Sequence, residues 1–264
     1  MPTKTIFLIH GLLVSKHSWE PWVARYSSKG YKVITPAYDS ELDKPFEELK
    51  KTPDNPILKT ITLTHTLDYL AALIRELDEK PIIMGHSFGG LLTQHLLYRG
   101  LGVAGVSIDG VPPAGLFPTQ WSLIKSAWPG LNPFVAATQP YQMTFTQFRV
   151  HTLPLQEQKL AYDTLMVPES RGLYRSGLSK GARVDFTRSR PPLLIVAGDS
   201  DHIVPASLSR ADYNRNKKFD STTDFKVFPG RTHYTVIRGQ GWEEVADFSL
   251  NWAIQSEAMA AKTT

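Results

Sequence analysis

The stretch KPIIMGHSFGGLL, Lys80 to Leu92, decides how the rest of the chain is read. An apolar run ends at Gly85, a serine stands at position 87, and the chain leaves through Gly89 and Gly90 into a second apolar segment. Where a strand turns this sharply into a helix, backbone approaches backbone, and flanking glycines avoid the clashes that side chains would cause. The plainer explanation is an incidental serine in a glycine-rich turn, because G-x-S-x-G alone recurs by chance. Its context, strand before and helix after, points instead to a turn that presents Ser87. The hydroxyl would then stand clear of the sheet, with the N–H of Phe88 at the helix start aimed where negative charge can develop.

Outward from this turn, short apolar runs recur at 5–10, 32–38, 81–85, 103–109, 192–198 and 224–230. Most are continuous rather than alternating, as in strands buried on both faces. Helical patterns lie between several of them. One places Leu67, Leu70, Ile74 and Leu77 on a single face, one runs from Leu91 to a stop at Gly100, and one near the end carries Val245, Phe248 and Trp252. Strand–helix–strand alternation implies crossover connections and a mostly parallel sheet of about six strands flanked by helices. The interval 114–190 breaks the rhythm. It is bracketed by Pro112–Pro113 and Pro191–Pro192, rich in aromatics from Phe117 to Tyr174, and without strand periodicity. A structureless loop of that length is improbable in a compact domain, so a helical insertion over one edge of the sheet is expected.

Composition narrows the chemistry. With 264 residues, 42% hydrophobic, the chain can fill one core, and the lack of cysteine removes disulfides, thiolate zinc sites and cysteine nucleophiles. The net charge of +4 comes from dispersed basic residues with acids among them, which reads as a solvated face and not as a nucleic-acid platform. The opening residues show no secretory leader, and no apolar stretch approaches membrane-spanning length, so a cytoplasmic protein with no membrane partner is expected. G-x-G-x-x-G occurs at Gly100 to Gly105, but it precedes a strand and follows a helix, the reverse of a dinucleotide site. No metal-ligand motif or P-loop lysine is present. No cofactor and no metal are expected.

A serine hydroxyl is a weak nucleophile and needs a base held by a third group. Of the eight histidines, His17, His65, His95 and His151 sit in helical or loop contexts that suggest exposure or half-burial, and His10 and His86 belong to strand-end turns where their rings would pack. His202 precedes the last strand. Only His233, in FPGRTHYTV, follows the last strand in a loop that could reach back to Ser87. For the acid, Asp199 and Asp201 follow one strand and Asp109 ends another, and each could equally be a turn-capping aspartate.

Together these features resemble a serine esterase of the α/β-hydrolase superfamily. His10-Gly11 after the first strand, GHSFGG at the turn, GDSDHIVP for the acid and GRTH for the base stand in that order over nearly the whole chain, a far more specific pattern than any one motif. The resemblance implies Ser87, Asp201 and His233 as a triad, with Asp109 as the alternative acid. It implies backbone N–H groups of Leu12 and Phe88 as the oxyanion hole, with Leu13 and Val204 lining the substrate site. It also implies a core of residues 1–113 and 191–264 carrying a cap or lid at 114–190. HGLL stands where some relatives have HGGG, which implies a simpler oxyanion hole, and with HG after the first strand a reduced, six-stranded sheet without the two leading antiparallel strands of larger relatives is expected. Serine at the turn separates the chain from aspartate-dependent dehalogenases and epoxide hydrolases. The implied substrate is a small to medium, mainly apolar carboxylic ester, lactone or thioester cleaved through an acyl-enzyme. Carbon–carbon bond hydrolysis, cyanohydrin cleavage and non-catalytic ligand binding remain the alternatives, and oligomeric state is left open.

Overall fold

The computed structural model describes residues 2–116, 128–148 and 154–263. Six parallel strands, β1 (Thr5–Ile9), β2 (Lys32–Ile34), β3 (Ile82–His86), β4 (Ala104–Ile108), β5 (Leu193–Gly198) and β6 (Thr223–Phe228), form one sheet in the order β2-β1-β3-β4-β5-β6. All six runs expected from the sequence are strands. The second is cut to three residues, because Pro36 has no N–H with which to continue a ladder.

Alternate side chains of each strand enter different layers. Ile6, Leu8, Met84, Val106 and Val196 pack with Trp19, Trp22 and Tyr26, and with Val245, Leu250 and Ala253 of the terminal helix Trp242–Thr263. On the other face Phe7, Ile9 and Ile83 pack with Leu67, Leu70 and Ile74 of the helix Leu63–Arg75 and with Leu91, Leu92 and Leu96 of the helix Phe88–Tyr98. The first of these helices is capped by the Thr62 hydroxyl, which accepts from His65 N at 3.2 Å. The second is buried on every side, so its sequence shows no polar stripe. In the terminal helix the deepest side lies through Val245, Ala246, Ser249, Leu250 and Ala253; Phe248 and Trp252 flank it half-buried.

Between β4 and β5 the described residues include the helices Phe145–Phe148, Leu155–Leu165 and Arg171–Ser176. The segment is anchored rather than draped. Leu173 and Ala182 belong to the second core layer, and Ala114 N donates to Ala182 O at 2.8 Å. It is not purely helical, since isolated antiparallel bridges join Tyr141 to Glu169 and Val14 to Met166. Its aromatics divide. Tyr141 and Phe148 are buried, Trp128 and Phe134 are exposed, and Phe117 and Trp121 lie outside the described residues. No described helix is long and apolar enough to cross a membrane.

Candidate active site

The C-terminal ends of parallel strands are where such sheets gather their functional groups. Ser87 sits there, directly after β3, with φ 55° and ψ −119°, backbone angles that a non-glycine residue adopts only at a cost of about 1–3 kcal/mol. The turn is tied down by its neighbours. Ser87 N donates to Ile108 O at 3.0 Å, and Val111 N donates to Ser87 O at 2.9 Å. The flanking glycines are required by close approach. A Cβ on Gly85 would lie 2.0 Å from Gly89 O, and one on Gly89 would lie 2.1 Å from Ile9 O. The same crowding brings the loop after β1 against the serine, since a Cβ on Gly11 would meet Ser87 Cβ at 3.0 Å. Phe88 N is among the first-turn donors that a helix leaves without an intrahelical partner.

Asp201 and His233, from the loops after β5 and β6, come together. His233 Nδ1–H donates to Asp201 Oδ2 at 2.6 Å, with both residues buried, which fixes the tautomer and leaves Nε2 as the proton acceptor. The Asp201 Oδ1 is fully used, accepting from Ile203 N at 2.6 Å and Val204 N at 3.0 Å. Burial alone would raise its carboxyl, but His233 beside it and the hydrogen bonds it accepts bring it below the usual range. The His233 ring packs 4.4 Å from the ring of His86, and His86 Nε2–H donates to His233 O at 2.9 Å, so His233 rests on the residue next to Ser87. Among the described residues no hydrogen bond joins Ser87 Oγ to His233; in unliganded sites such bonds often tighten only when substrate binds.

Asp109 lies behind this pair instead of on the histidine. It is fully buried at φ 41°, and its Oδ1 accepts from Gly198 N at 2.7 Å. Among the described residues its other oxygen receives no N–H or O–H, while its side chain lies beside that of Asp201. Two carboxyl groups side by side need one proton between them. Burial first, and then the negative charge of Asp201, push the Asp109 carboxyl well above the usual range, so Asp109 is the member of the pair that keeps the proton. The run VAGVSID offered the acid, but nothing local in sequence shows that two acids from different strands would meet.

The loop after β1 is equally well determined. The His10 ring stacks on Tyr38 at 4.0 Å, its Nδ1–H donates to Gly11 O at 2.8 Å, and burial lowers its pKa to about 4, so it stays neutral. Tyr38 O–H donates to His10 O at 2.6 Å. Leu12 follows, then Leu13, buried at φ 66°. Val204 is buried in the acid loop. Of the remaining histidines, His65 and His202 are exposed and His17 is half-buried, while His151 lies outside the described residues. His95 corrects the expectation: it is buried, with Nε2–H donating to Ala182 O at 3.2 Å and a pKa lowered by burial to about 4, because the insertion covers its helix. His86, Asp109 and His233 bring potential ligand atoms within 4.8 Å of one another. Each already has a partner through Nε2, Oδ1 or Nδ1, and the cluster forms a polar network behind the serine.

The family described as Alpha/beta hydrolase family matches residues 6–248. The chain belongs to that family. No curated protein matches this alpha/beta hydrolase in sequence. Solved structures share its fold at low identity. One of two metagenome-derived lipolytic enzymes superposes with a TM-score of 0.68 at 16% identity, over 97% of this chain and 95% of that one. A pyrethroid hydrolase from Sphingobium faniae JZ-2 gives 0.66 at 16%, over 95% and 97%. A mutant of tomato methylketone synthase I gives 0.67 at 17%, over 97% and 100%. The expected six-stranded α/β-hydrolase architecture is therefore borne out.

Proposed function

We propose that this alpha/beta hydrolase is a serine hydrolase of small to medium, mainly apolar carboxylic esters, with lactones and thioesters as related substrates. The observation that carries the reading is the buried 2.6 Å bond from His233 Nδ1–H to Asp201, on a ring packed against His86 beside the strained Ser87 turn. With Nδ1–H committed to the acid, Nε2 is free to take the Ser87 proton as Oγ attacks the ester carbonyl carbon. The carbonyl oxygen becomes an oxyanion, stabilised by the N–H groups of Phe88 and Leu12. The bond to the leaving oxygen then breaks as the imidazolium returns the proton to it, releasing the alcohol and leaving an acyl-enzyme on Ser87. A water that gives its proton to His233 repeats the sequence and frees the acid. Asp201 orients the ring and stabilises the imidazolium. Residues 114–190 act as the cap, with Leu13 and Val204 beside the acyl path.

The test is a chromogenic ester panel with an alkyl phosphonate probe. Ser87→Ala should lose several orders of magnitude in turnover while keeping its circular dichroism spectrum, and the probe should add once per chain, at Ser87. Labelling at another serine, or full activity in the variant, overturns the reading.

A further inference from the structure

A short segment inside the insertion, Met166 to Ser170, grips the loop after β1 at the point where the reading above puts an oxyanion donor. Leu13 N donates to Glu169 Oε2 at 3.2 Å, Val167 N donates to Leu13 O at 2.9 Å, and Val14 bridges Met166 in antiparallel register. Both backbone groups of Leu13, a residue held at φ 66°, are thus taken by one short stretch of the insertion. The Glu169 backbone is fixed in turn: it exchanges hydrogen bonds with Tyr141 at 2.7 and 2.8 Å. Its second carboxyl oxygen accepts from Ser170 N at 2.7 Å. The side chain is buried beside a cavity of about 30 Å³ lined by His10, Val14, Ser15 and Tyr38.

We propose that Glu169 is a positioning residue for the oxyanion hole: its carboxyl holds Leu13, and through Leu13 sets the direction of the Leu12 N–H. The inference rests on the serine-hydrolase reading and adds to it. A leucine in left-handed backbone is free to relax unless its surroundings over-determine it. The neighbouring peptide, the one carrying the donor, is held at its carbonyl by His10 Nδ1–H, and the Leu13 contacts fix the backbone on its other side. The carboxyl is suited to this. Two N–H groups on separate parts of the chain meet its two oxygens, a demand that an amide, with one acceptor oxygen, meets only halfway. Keeping an acid in a buried site has a consequence for its protonation, since burial raises Glu169 to about 7 against the pull of the Ser170 and Leu13 N–H groups. A residue needed only to fill space there would not have to be an acid.

Removing one oxyanion donor outright costs about 10²–10³ in kcat, which sets the ceiling for misdirecting one. Per phosphonate-labelled site, Glu169→Ala should lower kcat by about 10–100-fold while KM moves less than threefold. Affinity for an alkyl trifluoromethyl ketone, whose adduct carries the oxyanion, should fall in step with kcat/KM. Glu169→Gln should fall between the two. If the alanine variant does not fold, the glutamine variant decides alone. Parent-like kcat and ketone affinity in a folded Glu169→Gln overturn the proposal, as does an alanine variant whose ketone affinity is unchanged. Failure of the wild type to label at Ser87 would instead strike the serine-hydrolase reading itself.

Discussion

Replacing Asp109 with asparagine tests the buried acid pair through stability alone. In the folded chain Asp109 keeps its proton well above the usual carboxylate range, because it is buried and faces the charge of Asp201. In the unfolded chain an aspartate loses its proton near pH 3.9. Between those two values folding takes up a proton, so the contribution of this group to stability is complete below about pH 4 and declines as pH rises toward the folded value. The slope is about 1.4 kcal/mol per pH unit, the free energy of one proton per unit of pH. Asparagine does not titrate, yet its carbonyl can still accept from Gly198 N and its neutral amide puts no second charge beside Asp201. Titrating groups that do not face Asp109 are common to both chains, so their contribution largely cancels in the comparison. Urea unfolding at pH 5, 6 and 7, followed by circular dichroism, should therefore show Asp109→Asn gaining on the parent by about 1.4 kcal/mol per unit for as long as the folded acid holds its proton. Ester turnover should stay within about tenfold of the parent, since the amide replaces one neutral group of similar shape with another. A stability difference that stays flat from pH 5 to 7 would refute the shared-proton arrangement.

Two further outcomes follow from the same geometry. Asp201→Asn should keep the fold but lose on the order of 10⁴ in kcat, because an amide N–H facing His233 Nδ1 selects the wrong tautomer; turnover retained within tenfold, measured per labelled serine, would move the acid role elsewhere. Gly89→Ala should destabilise by about 3 kcal/mol or more, since its Cβ would stand 2.1 Å from Ile9 O and backbone must shift to admit it; an unchanged melting temperature would count against the tight packing of the turn on β1.

Much of this was legible because the signals are local. The glycines around Ser87 mark a turn that only small residues permit, and continuous apolar runs mark strands covered on both faces. The placement of His233 followed from its loop after the last strand. What the chain does not display locally is which groups from distant loops meet. Asp109 and Asp201 end different strands, and only the β4–β5 pairing brings their carboxyls side by side. Glu169 lies in MVPES, a stretch with no periodicity, and its role depends on antiparallel bridges formed across an insertion. The His95 error has the same origin: its helix is buried on all faces, so a polar residue there gave no sign of which neighbour would receive its N–H.

The strand order has a consequence for how the molecule is made. β1 is flanked by β2 and β3, after which β4, β5 and β6 each add to the edge left by the strand before. A chain emerging from a ribosome can thus extend its sheet outward in the order of synthesis, each newcomer finding a ready edge. Under the proposed roles, the nucleophile is in place by the third strand, whereas the acid arrives after the fifth and the base only after the sixth. A growing chain would carry its serine long before anything could activate it, and chemistry would switch on in the final stage of translation.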